Sequence, residues 1–152
     1  MLTSLVCLAL LAATIAIHYE ALRFSSNRLT HLRIPPRFRI TIMLTTALVS
    51  HLLHVFLYAL AFLLLEQAGG FGSIDGGDTR HNLGDAFYFS ITSYTTLGIG
   101  DLYPIGAMRL ISGVEALNGL VMVGWTASMT YLYMEKFWHL RARPEPRRKS
   151  RK

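Results

Sequence analysis

Apolar residues in this chain come in long runs rather than in alternation. Ile40 to Leu65 carries no Asp, Glu, Lys or Arg, and Ile105 to Tyr133 carries only Arg109 and Glu115. Each run can cross a hydrocarbon core of about 30 Å, which takes roughly 20 helical residues. They predict membrane-spanning helices over 41–65 and 107–138. Leu2 to Ile17 is a shorter run of the same kind. A secretory signal calls for a positive n-region and an Ala-x-Ala-like cleavage site. No Lys or Arg precedes Arg23, and no such alanine spacing occurs between Ala9 and Ala16. Segment 1–19 therefore reads as a third, retained transmembrane helix, with an interfacial helix as the competing reading.

The polar stretch between the two long runs has internal order. Gly69, Gly70, Gly72, Gly76 and Gly77 crowd into residues 66–81, a composition that makes helix costly and predicts an exposed turret. Asn82 then stands three residues before Asp85, a spacing similar to a capping box, with the acid also favoured at a helix N-terminus. A helix over 83–95 is about 20 Å long, too short to span and suited to a re-entrant segment. Its C-terminal end, with unpaired carbonyls and partial negative charge, is expected near the membrane centre.

Directly after it comes Thr95-Thr96-Leu97-Gly98-Ile99-Gly100-Asp101. Alternating glycines supply backbone conformations that other residues reach only with strain, and an ion-selectivity filter needs carbonyls turned inward to replace an ion's hydration shell. Leu102-Tyr103-Pro104 lead into the last helix. Pro104 has no amide donor and suits a helix start.

Composition agrees with a membrane protein: 52% of residues are hydrophobic and 16% charged. Lys and Arg accumulate in short cytoplasmic segments. Arg23, Arg28, Arg33, Arg37 and Arg39 fall in a 20–40 connector, and Lys136 with seven further basic residues falls at the C-terminal end, so 13 of the 15 share one side. Glu66, Asp75, Asp78, Asp85 and Asp101 lie on the other, against Arg80 alone. The N-terminus is thus expected outside and the C-terminus in the cytoplasm, in a plasma (inner) membrane. The net charge of +6 does not call for nucleic acid. The basic tail, 139–152, reads as a topology signal beside anionic lipid headgroups, each charge worth about 1 kcal/mol. Cys7 is the only cysteine, so no intrachain disulfide forms.

The order of aromatic-rich helix (Ala86-Phe87-Tyr88-Phe89-Ser90-Ile91-Thr92-Ser93-Tyr94), threonine pair, Gly-x-Gly, acid, proline and glycine-bearing helix resembles the potassium-channel pore domain over roughly residues 41–135. That family's Thr-Val-Gly-Tyr-Gly filter differs here at Leu97 and Ile99. The resemblance implies an all-α membrane protein: outer helix 41–65, turret 66–81, re-entrant pore helix 83–95, selectivity filter 96–101 and inner helix 107–138, preceded by an extra N-terminal transmembrane helix. It also implies a homotetramer, since one filter strand cannot surround an ion. Permeant K+ would be coordinated at Thr96, Leu97, Gly98 and Ile99, with Gly100 allowing the outer turn and no cofactor. Asp101 would hold the strand from behind with Tyr88 as its donor, and Phe89, Thr92 and Thr95 would support it. Relatives commonly carry Tyr at the position of Ile99, so an apolar contact with residues such as Phe89 would replace a polar brace. Gly119 aligns with the family's gating hinge. Gly124 is a second candidate, and close packing is an alternative for either glycine. Ala116, Leu120, Val123 and Ala127 recur at 4, 3 and 4, one stripe of the inner helix, which the resemblance assigns to a water-filled vestibule.

Glu115 is the one acid inside a span and is expected to be buried, with Thr92, Tyr58 or His54 as partner and Asn118 on the same face. His51 and His54 stand at i, i+3. A metal site there would need further ligands, and the simpler reading is two neutral imidazoles hydrogen-bonded between helices. The five-residue spacing of Arg23, Arg28 and Arg33 and the Pro35-Pro36 pair argue against a voltage sensor. No dinucleotide fingerprint, phosphate loop or catalytic spacing points to an enzyme. The function expected is passive K+ conduction. Weakly selective monovalent cation flux, and a non-conducting membrane subunit, are the alternatives.

Overall fold

The computed structural model describes residues 1–31, 34–76 and 82–139; the basic tail and part of the turret lie outside the described residues. The described residues form four helices: α1 (Leu2–His31), α2 (Pro36–Ala68), α3 (Leu83–Tyr94) and α4 (Met108–His139). Three stretches, Leu2–Arg28, Arg37–Ala68 and Met108–Lys136, are long and apolar enough to cross a membrane. α3 is the short fourth helix, packed against α2 and α4, and α1 lies against both long partners.

The apolar surface is arranged for lipid or further protein rather than water. Leu44, Leu48, Leu52, Leu53, Phe56, Leu60 and Leu64 of α2 are exposed. The buried positions of α1 include Cys7, Leu10, Thr14, His18, Leu22 and Ser25, so half of that stripe is polar. Where no water is available, polar groups turn inward to find partners and apolar ones cover the outside. The main apolar core joins Tyr58, Ala59 and Phe62 of α2 to Ala86 and Phe89 of α3 and Met108 and Ile111 of α4.

Several boundaries differ from those expected. α1 runs well past residue 19, so much of the 20–40 connector is helix; Ser25 is buried on the stripe begun by Cys7, and packing extends the helix beyond its apolar run. α2 begins at Pro36, a residue that needs no amide partner in the first turn. Pro104 does not start α4. It lies in a two-residue strand, β2 (Tyr103–Pro104), paired antiparallel with β1 (Ile74–Asp75), with Ile74 opposite Pro104 and Asp75 opposite Tyr103. The described part of the turret is therefore hooked back over the segment after the Gly-x-Gly, and Ile74 is buried. The Tyr103 hydroxyl donates to the Asp75 carboxylate at 3.1 Å, and this bond pushes the phenol pKa up.

α3 starts as its sequence suggests. The Asn82 side chain accepts from the amides of Gly84 (2.7 Å) and Asp85 (3.1 Å), while the Asp85 carboxylate accepts from the Asn82 amide at 3.0 Å. Orphan amides at the helix start are thereby satisfied. Asn82→Ala is expected to cost about 1 kcal/mol, seen as a lower unfolding temperature in detergent, with Asn82→Asp close to wild type.

Candidate functional site

The site is built around the C-terminal end of α3. The chain does not leave that helix straight. The Thr95 amide donates to the Ile91 carbonyl (3.1 Å), the Thr96 amide to the Ser93 carbonyl (2.9 Å), and the amides of Leu97 and Gly98 both to the Thr92 carbonyl (2.9 and 3.1 Å). The carbonyls of Ile91, Thr92 and Ser93 are thus capped rather than unpaired, correcting the expectation of a helix end with free carbonyls. The Thr95 hydroxyl donates to the Ile91 carbonyl and the Thr92 hydroxyl to that of Phe89, so neither side chain points its proton at residues 96–101.

From 96 to 100 every second residue has positive φ: Thr96 (59°), Gly98 (52°) and Gly100 (90°), with Leu97 and Ile99 between them on the ordinary side. Alternating handedness turns successive peptide planes the same way, the arrangement that lets neighbouring carbonyls line one side of a strand. Glycine enters the left-handed region without Cβ strain; Thr96 enters it against its β-branch, and is the one non-glycine residue among those described to do so. Leu97 (65% exposed) and Ile99 (58%) are uncovered in the single chain. Phe89 is buried with its ring edge-on to Phe62, centroids 5.0 Å apart.

Behind the segment the Tyr88 hydroxyl donates to the Asp101 carboxylate at 2.8 Å, linking α3 to the far end of the Gly-x-Gly. This bond pushes the Tyr88 phenol pKa up. Ala116 borders the same open hollow as Thr96, Gly98 and Gly100. Leu120 and Val123 border a second, apolar hollow with Thr95 and Ile91, and Ala127 is exposed further along α4.

The two glycines of α4 differ in kind. A Cβ added to Gly119 would run into the carbonyl oxygen of Tyr94, the last residue of α3, whereas one on Gly124 would meet nothing. Gly119 is therefore a close-packing contact that lets the end of α3 rest on α4.

Glu115 is fully buried, but its partner is none of those expected. It is hydrogen-bonded to the Ser90 hydroxyl, which also donates to the Val55 carbonyl at 2.8 Å, tying α4, α3 and α2 together. Small serines give no periodic signal, which is why Ser90 was invisible in the pattern. The Asn118 amide donates instead to the Thr14 hydroxyl of α1 at 2.9 Å, which passes its own proton to the Leu10 carbonyl (2.9 Å).

The histidines form the least expected feature. His51 and His54 are joined by His18 of α1, and the three imidazoles alternate with three hydroxyls in a closed ring. His18 Nδ1 pairs with Ser50 (3.1 Å), Ser50 with His54 Nε2 (3.4 Å), and His54 Nδ1 with Tyr94 (3.0 Å). Tyr94 pairs with His51 Nδ1 (2.8 Å), His51 Nε2 with Thr126 (2.9 Å), and Thr126 with His18 Nε2 (3.2 Å). Three hydroxyl protons and three imidazole N–H protons supply one proton to each of the six contacts, so the ring is complete with every imidazole neutral. All four helices contribute, and Tyr94 carries the connection to the segment that follows α3. A clue lay in Thr14 and His18, polar residues four apart in an apolar run.

Residues 45–136, more than half of the chain, match the family model described as "Ion channel". No curated protein and no solved structure matches the chain.

Gly119→Ala is expected to cost about 1–3 kcal/mol by forcing Tyr94 off α4, measured as a lowered unfolding temperature. Gly124→Ala should unfold within a degree or two of wild type or slightly later, since alanine is the better helix former by about 1 kcal/mol.

Proposed function

The chain belongs to the ion-channel family, and we propose that it conducts K+ passively across a membrane through a pore lined by the backbone of residues 96–100 in a homotetramer. The observation that carries this reading is the alternating backbone of Thr96, Gly98 and Gly100 at the C-terminal end of a short helix set between two apolar spans. Carbonyls of Thr96, Leu97, Gly98 and Ile99, with the Thr96 hydroxyl, would replace the hydration shell of the ion. Irregular backbone is tolerated at membrane depth only inside protein or against a water-filled cavity. One chain leaves Leu97 and Ile99 uncovered, which argues for identical subunits around a common axis.

The remaining roles follow from position. The partial negative end of α3 favours a cation beside Thr96, although its capped carbonyls make this a contribution of the helix as a whole. Tyr88 and Asp101 hold the outer end of the strand. The apolar stripe of Ala116, Leu120, Val123 and Ala127 would line the inner vestibule. By the distribution of Lys and Arg, the 96–101 segment opens to the outside and the C-terminus faces the cytoplasm, its basic tail beside anionic headgroups.

Weak selectivity is the second reading, and Ile99 favours it. A side chain 58% exposed and with no hydroxyl to donate gives the strand no polar brace, so the site is freer to contract around Na+.

Purified protein in liposomes tests both readings. Concentrative 86Rb+ uptake against a K+ gradient, with Na+ giving little, is the expected result. Equal fluxes would favour the second reading, and vesicles tight to both would reject conduction. Tyr88→Phe should erode discrimination between K+ and Na+. Because its phenol pKa is raised, the Tyr88 bond is present below the ordinary tyrosine range near 10 and is lost as pH rises through the shifted value. Loss of discrimination in strong alkali should therefore be larger in wild type than in Tyr88→Phe.

A further inference from the structure

Three imidazoles from two helices far apart in sequence meet inside the bundle, and conduction through the 96–100 backbone does not require them. His18 comes from α1 and His51 and His54 from α2, and one donor atom from each lies within 4.8 Å of the other two. His18 and His54 are fully buried and His51 is half-buried. We propose that His18, His51 and His54 form a binding site for a divalent transition-metal ion of the zinc class, with the Tyr94 hydroxyl as the fourth donor.

The donor set selects the ion. Imidazole suits zinc, copper, nickel and ferrous iron, whereas calcium and magnesium want several oxygens, and among the described residues no carboxylate joins this cluster. Metal binding needs neutral imidazoles with a free lone pair. The hydroxyl ring supplies them: its proton count leaves each imidazole neutral, with one nitrogen donating and the other accepting. A metal would take the place of the three hydroxyl protons on the accepting nitrogens.

The other nitrogen of each ring would keep its hydroxyl partner, the arrangement that fixes tautomer and orientation around bound metals. Ser50 and Thr126, released as donors, can turn to helix carbonyls one turn back, as Thr130 does toward the Thr126 carbonyl at 2.7 Å. Tyr94 stands 2.8 and 3.0 Å from nitrogens of His51 and His54, close enough to enter the fourth position. Tetrahedral zinc with Zn–N of about 2.0–2.1 Å sets its nitrogens roughly 3.3 Å apart. The imidazoles would therefore draw in by at most about 1.5 Å, a movement that side-chain rotation supplies.

The site joins α1 to α2 and, through Tyr94, to the end of α3, two residues before Thr96. A bound ion would fix that end in place, so it would act on the candidate pore without entering it. Binding itself does not depend on whether the chain conducts.

The test uses the full chain purified without a polyhistidine tag, stripped with chelator and titrated with Co2+ and then Zn2+. The expected result is one metal ion retained per chain after removal of free metal. Intense visible absorption of four-coordinate Co2+, its displacement by Zn2+, and a raised unfolding temperature should accompany it. His18→Gln and His54→Gln should weaken binding by roughly a hundredfold or more and Tyr94→Phe by about tenfold. Cys7→Ser, and a variant with His31, His81 and His139 all changed to Gln, should bind as wild type does. Should the histidine variants fail to fold, the wild-type cobalt spectrum still decides: weak six-coordinate absorption, or no retained metal, overturns the proposal. Binding that survives in a folded His18→Gln but is lost when the three other histidines are changed overturns it equally.

Discussion

A polar group buried in a bilayer has no water to fall back on, and that constraint organises this chain. A polar side chain brought inside gains by meeting another, and the contacts that tie this bundle together run between helices. Asn118 reaches Thr14 across α4 and α1, Ser90 holds Glu115 and the Val55 carbonyl across α3, α4 and α2, and the imidazole ring draws on all four helices. Apolar surfaces alone would pack these helices in many registers, because lipid tails are as apolar as leucine. The polar contacts select one.

What they select is the position of a single helix end. Tyr94 closes α3, its hydroxyl bridges His51 and His54, and its carbonyl rests where Gly119 leaves room. The backbone then curls so that four consecutive amides return to the carbonyls of Ile91, Thr92 and Ser93. The alternating segment from Thr96 to Gly100 is thus launched from a point held on three sides, with Tyr88 and Asp101 tying down its far end. Such anchoring suits a backbone that must keep a costly conformation, with Thr96 in the left-handed region.

Much of this was open to a reading of residues in order. Long uncharged runs marked the spans, Asn82 and Asp85 marked the start of α3, and the Gly98-x-Gly100 pair marked the irregular strand, because each signal is local. What the sequence hid depends on contacts between distant segments. His18 sits 33 residues from His51 and looks like one polar interruption in an apolar helix. Ser90 as the partner of Glu115 could not be chosen from among several nearby hydroxyls, and the pairing of Ile74 with Pro104 joins two dipeptides too short to carry a strand pattern. The extent of α1 is hidden for a related reason: beyond its apolar run the helix is buried at Leu22 and Ser25, through packing rather than hydrophobicity along the run.

The account rests on the backbone of residues 96–100 meeting copies of itself around an axis. Its most direct test is a density map of the assembled protein in lipid with Rb+ in place of K+. The account predicts a row of ion peaks on a fourfold axis, each within coordinating distance of carbonyls from Thr96 to Ile99 of all subunits. A map with that segment against lipid, or with an axis empty of ions beside these carbonyls, would contradict it.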